Sequence, residues 1–256
     1  MYDLQKANVW KRISAALFDV IMLGIVIVGC ALLLSIAFNY DGLVADLDAL
    51  ENTYYEMYDI DPDLPQEEAD AMTEEQKEAY KKALDEATKA IRKDERLEPL
   101  LNQLFIFAFL IITLSVLAAF LLLEFLVPLL IKNGQTLGKK IFSVAVMRYD
   151  GVKLAPLLLF VRAVLGKCIL TTLIPVYGCI LILFNASPLL GLVVTALPLL
   201  AQVILFLATR NHTPLHDLLA QTVAVDMASQ MIFDTPEALL EYKKRLHAED
   251  ASTRER

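Results

Sequence analysis

Residues 11–38, KRISAALFDVIMLGIVIVGCALLLSIAF, decide how the rest of the chain is read. From Ile13 to Phe38 the run is apolar except for Asp19. A hydrocarbon core about 30 Å thick needs roughly 20 apolar residues in a helix rising about 1.5 Å per residue. The run meets that length. Its basic flank (Lys6, Lys11, Arg12) and the weak Ser35/Ala37 cleavage pattern resemble a secretory signal. The run nevertheless exceeds the roughly 7–15 apolar residues of a signal peptide, so it is read as a retained span.

Three further tracts repeat the pattern. The second runs from Leu104 to Ile131 and is interrupted by Glu124. The third, Leu154 to Phe184, is divided by Arg162 and Lys167, which predicts a first half lying along the interface and a short crossing from Cys168 to Phe184. Asn185 to Pro188 form a turn, and Leu189 to Ala208 is the fourth run. Pro175 and Pro198 fall inside spans, where neighbouring helices re-satisfy the freed backbone groups. The chain has 256 residues, 57% hydrophobic and 21% charged, with mean hydropathy +0.52. Soluble domains hold about 45–50% apolar residues, so a soluble enzyme, a disordered chain and a disulfide-stapled module are excluded. Net charge −8 repels phosphate and argues against nucleic acid.

The fold class expected is an all-α membrane protein of four transmembrane helices. Its segments are 1–38 (N-terminus and span 1), 39–99 (acidic connection), 100–131 (span 2), 132–156 (basic connection), 157–184 (span 3), 189–208 (span 4) and 209–256 (tail). Lys132, Lys139, Lys140, Arg148 and Lys153 fill the 132–156 connection, and Arg210 opens the tail. The 39–99 connection instead carries Asp41, Asp46, Asp48, Glu51, Asp59, Asp61, Asp63, Glu67, Glu68 and Asp70. Lys and Arg mark the cytoplasmic side. Both termini are therefore expected in the cytoplasm and the acidic connection outside.

That acidic connection reads as a helical hairpin. Leu43, Leu47, Leu50, Tyr54 and Tyr58 recur at helical spacing, and Pro62 and Pro65 break the chain. Thr73 and Gln76 then form a capping box ahead of a helix with Ala79, Ala83, Ala87, Ala90 and Ile91 on one side. In the basic connection, alternation over 141–148 followed by Asp150-Gly151 predicts a strand and a hairpin-type turn, and Thr222 to Val225 is a second β-prone stretch. The two are expected to form a small cytoplasmic β element. Thr235 to about His247 reads as an amphipathic helix bearing Leu239, Leu240, Tyr242 and Leu246, with a loose ending from Glu249. Cys30, Cys168 and Cys179 lie in apolar runs and read as small packing residues.

Charges inside spans are costly, so each is a functional candidate. Arg12 and Asp19 return to nearly the same helix face about 10 Å apart in depth. Glu124 reaches about 12 Å in from Lys132 on the same side, where Arg162 and Lys167 also lie. Two readings stay open for this cluster: interhelical salt bridges that fix the packing, or a cation or proton site centred on Asp19, with Glu124 shallow enough to reach the interface. Gly134-Gln-Thr136-Leu-Gly138-Lys139-Lys140 is one residue short of a phosphate-binding loop and lacks its Ser/Thr, so it reads as an interfacial turn. His212, His216 and Asp217 make no plausible metal set, because Pro214 spoils the helical spacing. There is no nucleophile elbow, and neither an enzyme nor a cofactor is expected.

Three motifs in order resemble the RDD family of bacterial membrane proteins: Trp10-Lys11-Arg12 entering a span with Asp19, then Gly134 to Lys139, then His216-Asp217-Leu-Leu-Ala-Gln-Thr222-Val223. The resemblance covers about residues 7–226 and implies Arg12, Asp19 and Asp217 as the naming triad. It departs at Gln221, where the usual pattern has glycine, and in the long outer insertion. The resemblance implies a multi-pass protein of the bacterial inner membrane. Cation/proton exchange and an accessory role in a membrane complex are the two functions it suggests. It also gives Asp217 two expected partners, the Thr136–Lys139 turn or Arg12. As a transporter, so thin a bundle is expected to be a homo-oligomer. The expected partners are the lipid bilayer and another copy or another membrane protein.

Overall fold

The computed structural model describes residues 5–65, 71–131, 134–209 and 213–254. Glu67, Glu68, Asp70, Lys132, Arg210 and His212, named above, lie outside the described residues. Four helices are long and apolar enough to cross a membrane. They are α1 (Val9–Ala37), α4 (Leu97–Ile131), α6 (Pro156–Leu183) and α7 (Pro188–Ala208). Between α1 and α4 come α2 (Tyr40–Met57) and α3 (Glu74–Ile91). The remaining elements are α5 (Leu137–Ile141), β1 (Val144–Arg148), α8 (Leu215–Leu219), β2 (Thr222–Asp226) and α9 (Pro236–Arg254). By contact the chain divides into two units, residues 31–114 and the remainder.

In the 31–114 unit, α1 gives way to α2 at Asn39, whose φ of 50° is left-handed and breaks the helix. The α2–α3 hairpin closes on itself over Leu50, Ile60, Ala87 and Ile91, all buried. Alanine at 87 puts only a methyl group into the fully buried contact. The capping box forms: the Gln76 amide donates to Thr73 Oγ1 at 3.3 Å and the Thr73 amide to Gln76 Oε1 at 2.9 Å. At the other end the Tyr54 hydroxyl donates to Asp94 Oδ2 at 2.9 Å, and Arg96 pairs with the same carboxylate at 2.8 Å. Helix α4 begins at Leu97, ahead of the expected boundary, because Pro99 is tolerated in a first turn that needs no intrahelical amide donor.

In the other unit, Val116 and Phe120 of α4 pack against Cys168 and Leu173 of α6, with Leu23 and Ile27 of α1 against them. Large apolar residues of α1, among them Leu17, Val20, Ile21 and Ile25, face outward. A surface of that kind suits lipid better than water. Helices α6 and α7 form an antiparallel pair in which a Cβ at Gly191 would meet the Gly178 carbonyl oxygen at 2.6 Å. Small residues let the two backbones touch, as membrane helices require.

The third apolar tract differs from its sequence reading. It is not divided at Arg162 and Lys167 but forms one helix, whose Val161–Leu173 stretch is π-helical. The wider turn carries both bases toward their acids, and the helix continues through them. The strand also starts later than alternation suggests. Residues 137–141 are helical, Ser143 takes φ 54°, and β1 begins at Val144.

Strands β1 and β2 pair antiparallel with Val144 opposite Asp226 and Arg148 opposite Thr222. One face buries Ala145, Met147, Val223 and Val225, and the other buries Val144 and Ala224 beside Ala7. The N-terminal segment joins this sheet: the Asp226 amide donates to the Gln5 carbonyl at 3.0 Å, and Lys11 pairs with Asp226 at 3.2 Å. Asp150-Gly151 makes the turn that returns the chain, the Arg148 amide donating to the Val152 carbonyl at 2.9 Å. Helix α9 continues through Arg254, past the loose ending expected from Glu249. Along it Leu239 is buried, whereas Leu240 and Leu246 are exposed. Cys168 is a core residue as expected, whereas Cys179 is exposed.

Candidate functional site

Three acids and four bases meet around a cavity of about 510 Å³ lined by α1, α4, α6 and α7 together with the α5, α8 and sheet segments. The acids are Asp19, Glu124 and Asp217; the bases are Arg12, Lys139, Arg162 and Lys167. A charge in low dielectric is expensive unless it is paired and hydrogen-bonded. The pairing is therefore the central fact of the site.

Asp217 is clamped most tightly. Arg162 Nε donates to its Oδ1 at 2.5 Å and Thr222 Oγ1 donates to the same oxygen at 2.9 Å, all three residues being buried. These bonds and the guanidinium charge hold the carboxyl below the usual carboxylate range against the opposing effect of burial. Its hydrogen-bonded base is Arg162, where the family resemblance suggests Arg12 or the Thr136–Lys139 turn. Arg12 places its guanidinium 5.7 Å from the centre of the Phe206 ring, a cation–π contact. Gly166 permits the approach of α8 to α6, since a Cβ there would meet His216 Cβ at 2.6 Å.

Glu124 is buried and accepts from Lys167 Nζ at 2.6 Å. The π-helical turns of α4 (Leu121–Leu126) and α6 bring these two side chains face to face.

Asp19 meets the Gly134–Lys139 turn. Gly134 takes φ +61°, and Thr136 caps the short helix α5. The Gly138 amide donates to Asp19 Oδ1 at 2.7 Å, and the Thr136 hydroxyl donates to Oδ2. Lys139 Nζ donates to Thr136 Oγ1 at 3.2 Å and stands 3.8 Å from Asp19 Oδ2. Burial, reinforced by the positive charge of Lys167, pushes the Lys139 amine down to about 7, the attraction of Glu124 and Asp19 notwithstanding. Next to Asp217, burial drives the His216 imidazole down to about 3 and keeps it neutral. Its Nδ1 is buried with no hydrogen-bond partner among the described residues.

Sequence reasoning placed Asp19, Glu124, Arg162 and Lys167 at one depth, and the structure gathers them around one cavity. It missed Lys139 as a member of the charge cluster, having assigned it to the turn with Gly134, Thr136 and Gly138. It also missed Thr222 as a hydrogen-bond donor to Asp217. Thr136 three residues before Lys139 was an available cue, because an N-cap at 136 turns residue 139 back toward whatever the cap faces.

These features define a mostly helical membrane protein: four apolar helices, a two-stranded sheet and a charge-lined cavity among the helices. The model of the RDD family matches residues 6–221, most of the chain, and the protein belongs to that family. No curated protein and no solved structure matches the chain significantly. Gln221 has φ 52°, the left-handed region that favours the glycine of the usual family pattern.

Proposed function

We propose that this protein is a non-enzymatic, multi-pass protein of the bacterial inner membrane that exchanges a small monovalent cation for protons, with Asp19 as the cation-binding carboxylate. Both termini are assigned to the cytoplasm, and the working unit is a homo-oligomer. One observation carries the choice of Asp19. Glu124 and Asp217 are held by a base at 2.6 and 2.5 Å, whereas the nearest base to Asp19 stands at 3.8 Å. Coulomb attraction falls with distance, so Asp19 is the carboxylate from which an entering cation displaces least. The Thr136 hydroxyl beside it donates to Oδ2 and accepts from Lys139 Nζ, so its oxygen reaches a cation only once the lysine has moved off.

Purified protein in liposomes, given sodium, potassium and proton gradients in turn, tests this reading. Wild type is expected to carry flux in at least one gradient, and Asp19→Asn to lose it. Folded wild type that carries none overturns the proposal.

A second reading makes the protein an accessory or regulatory subunit that docks another membrane protein. Its support is the α2–α3 hairpin, which buries Leu50, Ala87 and Ile91 and leaves Asp41, Asp46, Asp48, Glu74 and Glu75 exposed. Absence of flux together with a membrane-protein partner crosslinked through residues 41–98 favours this reading.

A further inference from the structure

We propose that the charge-lined cavity is also a lipid site, which takes the headgroup of one anionic phospholipid from the bilayer while an acyl chain lies between α1 and α7. The inference stands apart from the transport reading, because its anchor, Arg12, lies about 10 Å from Asp19 along α1.

Ile13, Ala16 and Val20 of α1 and Val203 and Leu207 of α7 line the cavity, and all five are exposed. The cavity therefore opens sideways between two apolar helices, on the side where lipid lies. Ile13, Ala16, Val20 and Leu23 recur at intervals of three and four, so they form one stripe of α1. The stripe is about 15 Å long. That is half of a hydrocarbon core of roughly 30 Å, the depth of one leaflet. Near its outer end Trp10 is 74% exposed, and tryptophan settles at the level of lipid headgroups. Arg12 stands at that level, so an acyl chain laid along the stripe has its headgroup beside the guanidinium. The volume of about 510 Å³ suits a headgroup, being within the roughly 300–1,000 Å³ of small-ligand sites.

The polar end of the cavity selects an anion. Four bases and three acids line it, a formal excess of one positive charge that a single phosphodiester cancels. The planar guanidinium of Arg12 presents its N–H donors in a fork that fits phosphate oxygens. Gln202 uses Oε1 to accept the Leu215 amide at 3.1 Å, and its side-chain NH₂ is a donor for a further acceptor. His216 also lines the cavity, and its Nδ1 is buried without a hydrogen bond among the described residues. Such groups suit the phosphate and glycerol oxygens of a headgroup, whereas an apolar occupant leaves them without partners. A free phosphate, in turn, leaves the apolar stripe beside it uncovered. An anionic phospholipid matches both ends.

The test reconstitutes the full chain into phosphatidylcholine vesicles that contain phosphatidylglycerol as the minor lipid, re-extracts it in neutral detergent and reads retained lipid by native mass spectrometry. Wild type is expected to keep phosphatidylglycerol and to shed phosphatidylcholine. Arg12→Gln, which removes a charge-assisted hydrogen bond, is expected to retain phosphatidylglycerol about tenfold less. Ala16→Phe fills the exposed slot with every charge in place and is expected to lower retention as well; it decides the matter if Arg12→Gln does not fold. Lys140→Gln, an exposed base outside the cavity lining, is expected to retain lipid as wild type does. Equal retention of the two lipids by wild type overturns the inference, as does undiminished retention in folded Arg12→Gln and Ala16→Phe. An equal loss in Lys140→Gln also overturns it, since the attraction is then to surface charge alone. Inorganic phosphate or glycerophosphoglycerol that protects wild type from thermal unfolding as well as the lipid does overturns the lipid assignment in favour of a plain anion site. Cation flux is a separate readout: retained phosphatidylglycerol without flux sinks only the transport reading, and flux without retained lipid sinks only this one.

Discussion

Asp19, seven residues into the first turns beyond Arg12, accepts the backbone amide of Gly138 at 2.7 Å, so a carboxylate of helix α1 holds the N-terminus of a one-turn helix 119 residues later in the chain. The bond joins two of the three family motifs. It explains why a glycine stands at 138, because a Cβ there would run into the Ala15 carbonyl oxygen and approach the Asp19 carboxylate to 2.9 Å.

Gly138→Ala is accordingly expected to push α1 away from α5. Overpacking of this kind costs about 1–3 kcal/mol. Thermal unfolding in detergent should show the loss, whereas Gly24→Ala, where nothing lies within 4 Å of the added carbon, should unfold close to wild type.

The Arg162–Asp217 pair should behave as a buried ion pair. Arg162→Met or Asp217→Leu alone leaves a charge without its partner and is expected to cost about 3–5 kcal/mol. The double variant should recover most of that loss. Unfolding midpoints of the four proteins check the coupling, and additive losses in the double variant would contradict it.

Stability should depend on pH through Lys139. Its folded value is lowered to about 7, so between there and the unfolded value near 10.4 the unfolded chain binds the extra proton. The destabilisation is fully present below about 7 and is relieved as pH rises toward 10. Wild type is expected to gain thermal stability across that window relative to Lys139→Gln. Parallel curves for the two proteins would refute the assignment.

Gln221 offers a stabilising change. Its left-handed backbone costs about 1–2 kcal/mol in an L-residue, and glycine gives back about 0.5–1 kcal/mol through the freedom of the unfolded chain. Gln221→Gly should therefore raise stability by roughly 0.5–1 kcal/mol, measurable as a higher unfolding midpoint.

The α2–α3 hairpin is closed at one end by Asp94, whose carboxyl is pulled below the usual range chiefly by hydrogen bonds from the Arg96 side chain and backbone, with Tyr54 adding to them. A carboxyl lowered on folding contributes stability above its unfolded value, near pH 3.9, and loses it as pH falls through the folded value. Asp94→Asn is expected to speed amide exchange in residues 50–58 and 85–92 at neutral pH, with little change in β1 and β2.

Length, hydropathy and turn chemistry made much of the architecture legible in advance. Four apolar tracts announce helices whatever their neighbours do, since backbone groups in hydrocarbon must bond within the segment. Thr73 and Gln76 likewise specify a helix start from local geometry alone. The third tract was less legible. Arg162 and Lys167 look like interruptions in a one-dimensional hydropathy profile, yet on the π-helical turn they face Asp217 and Glu124 and the helix continues.

Which base meets which acid was decided only in three dimensions. Sequence gives the depth of a charge along its own helix, because rise per residue is fixed. It does not give the azimuth of one helix against another, which depends on close approaches such as Gly138 to Ala15 and Gly166 to His216. The chain by itself thus determined that apolar helices would carry several ionisable groups at a common level. Packing determined that Asp217 would go to Arg162, Glu124 to Lys167 and Asp19 to the Thr136–Lys139 turn, because hydrogen bonds at 2.5–2.7 Å form only at one rotation of the helices that hold them.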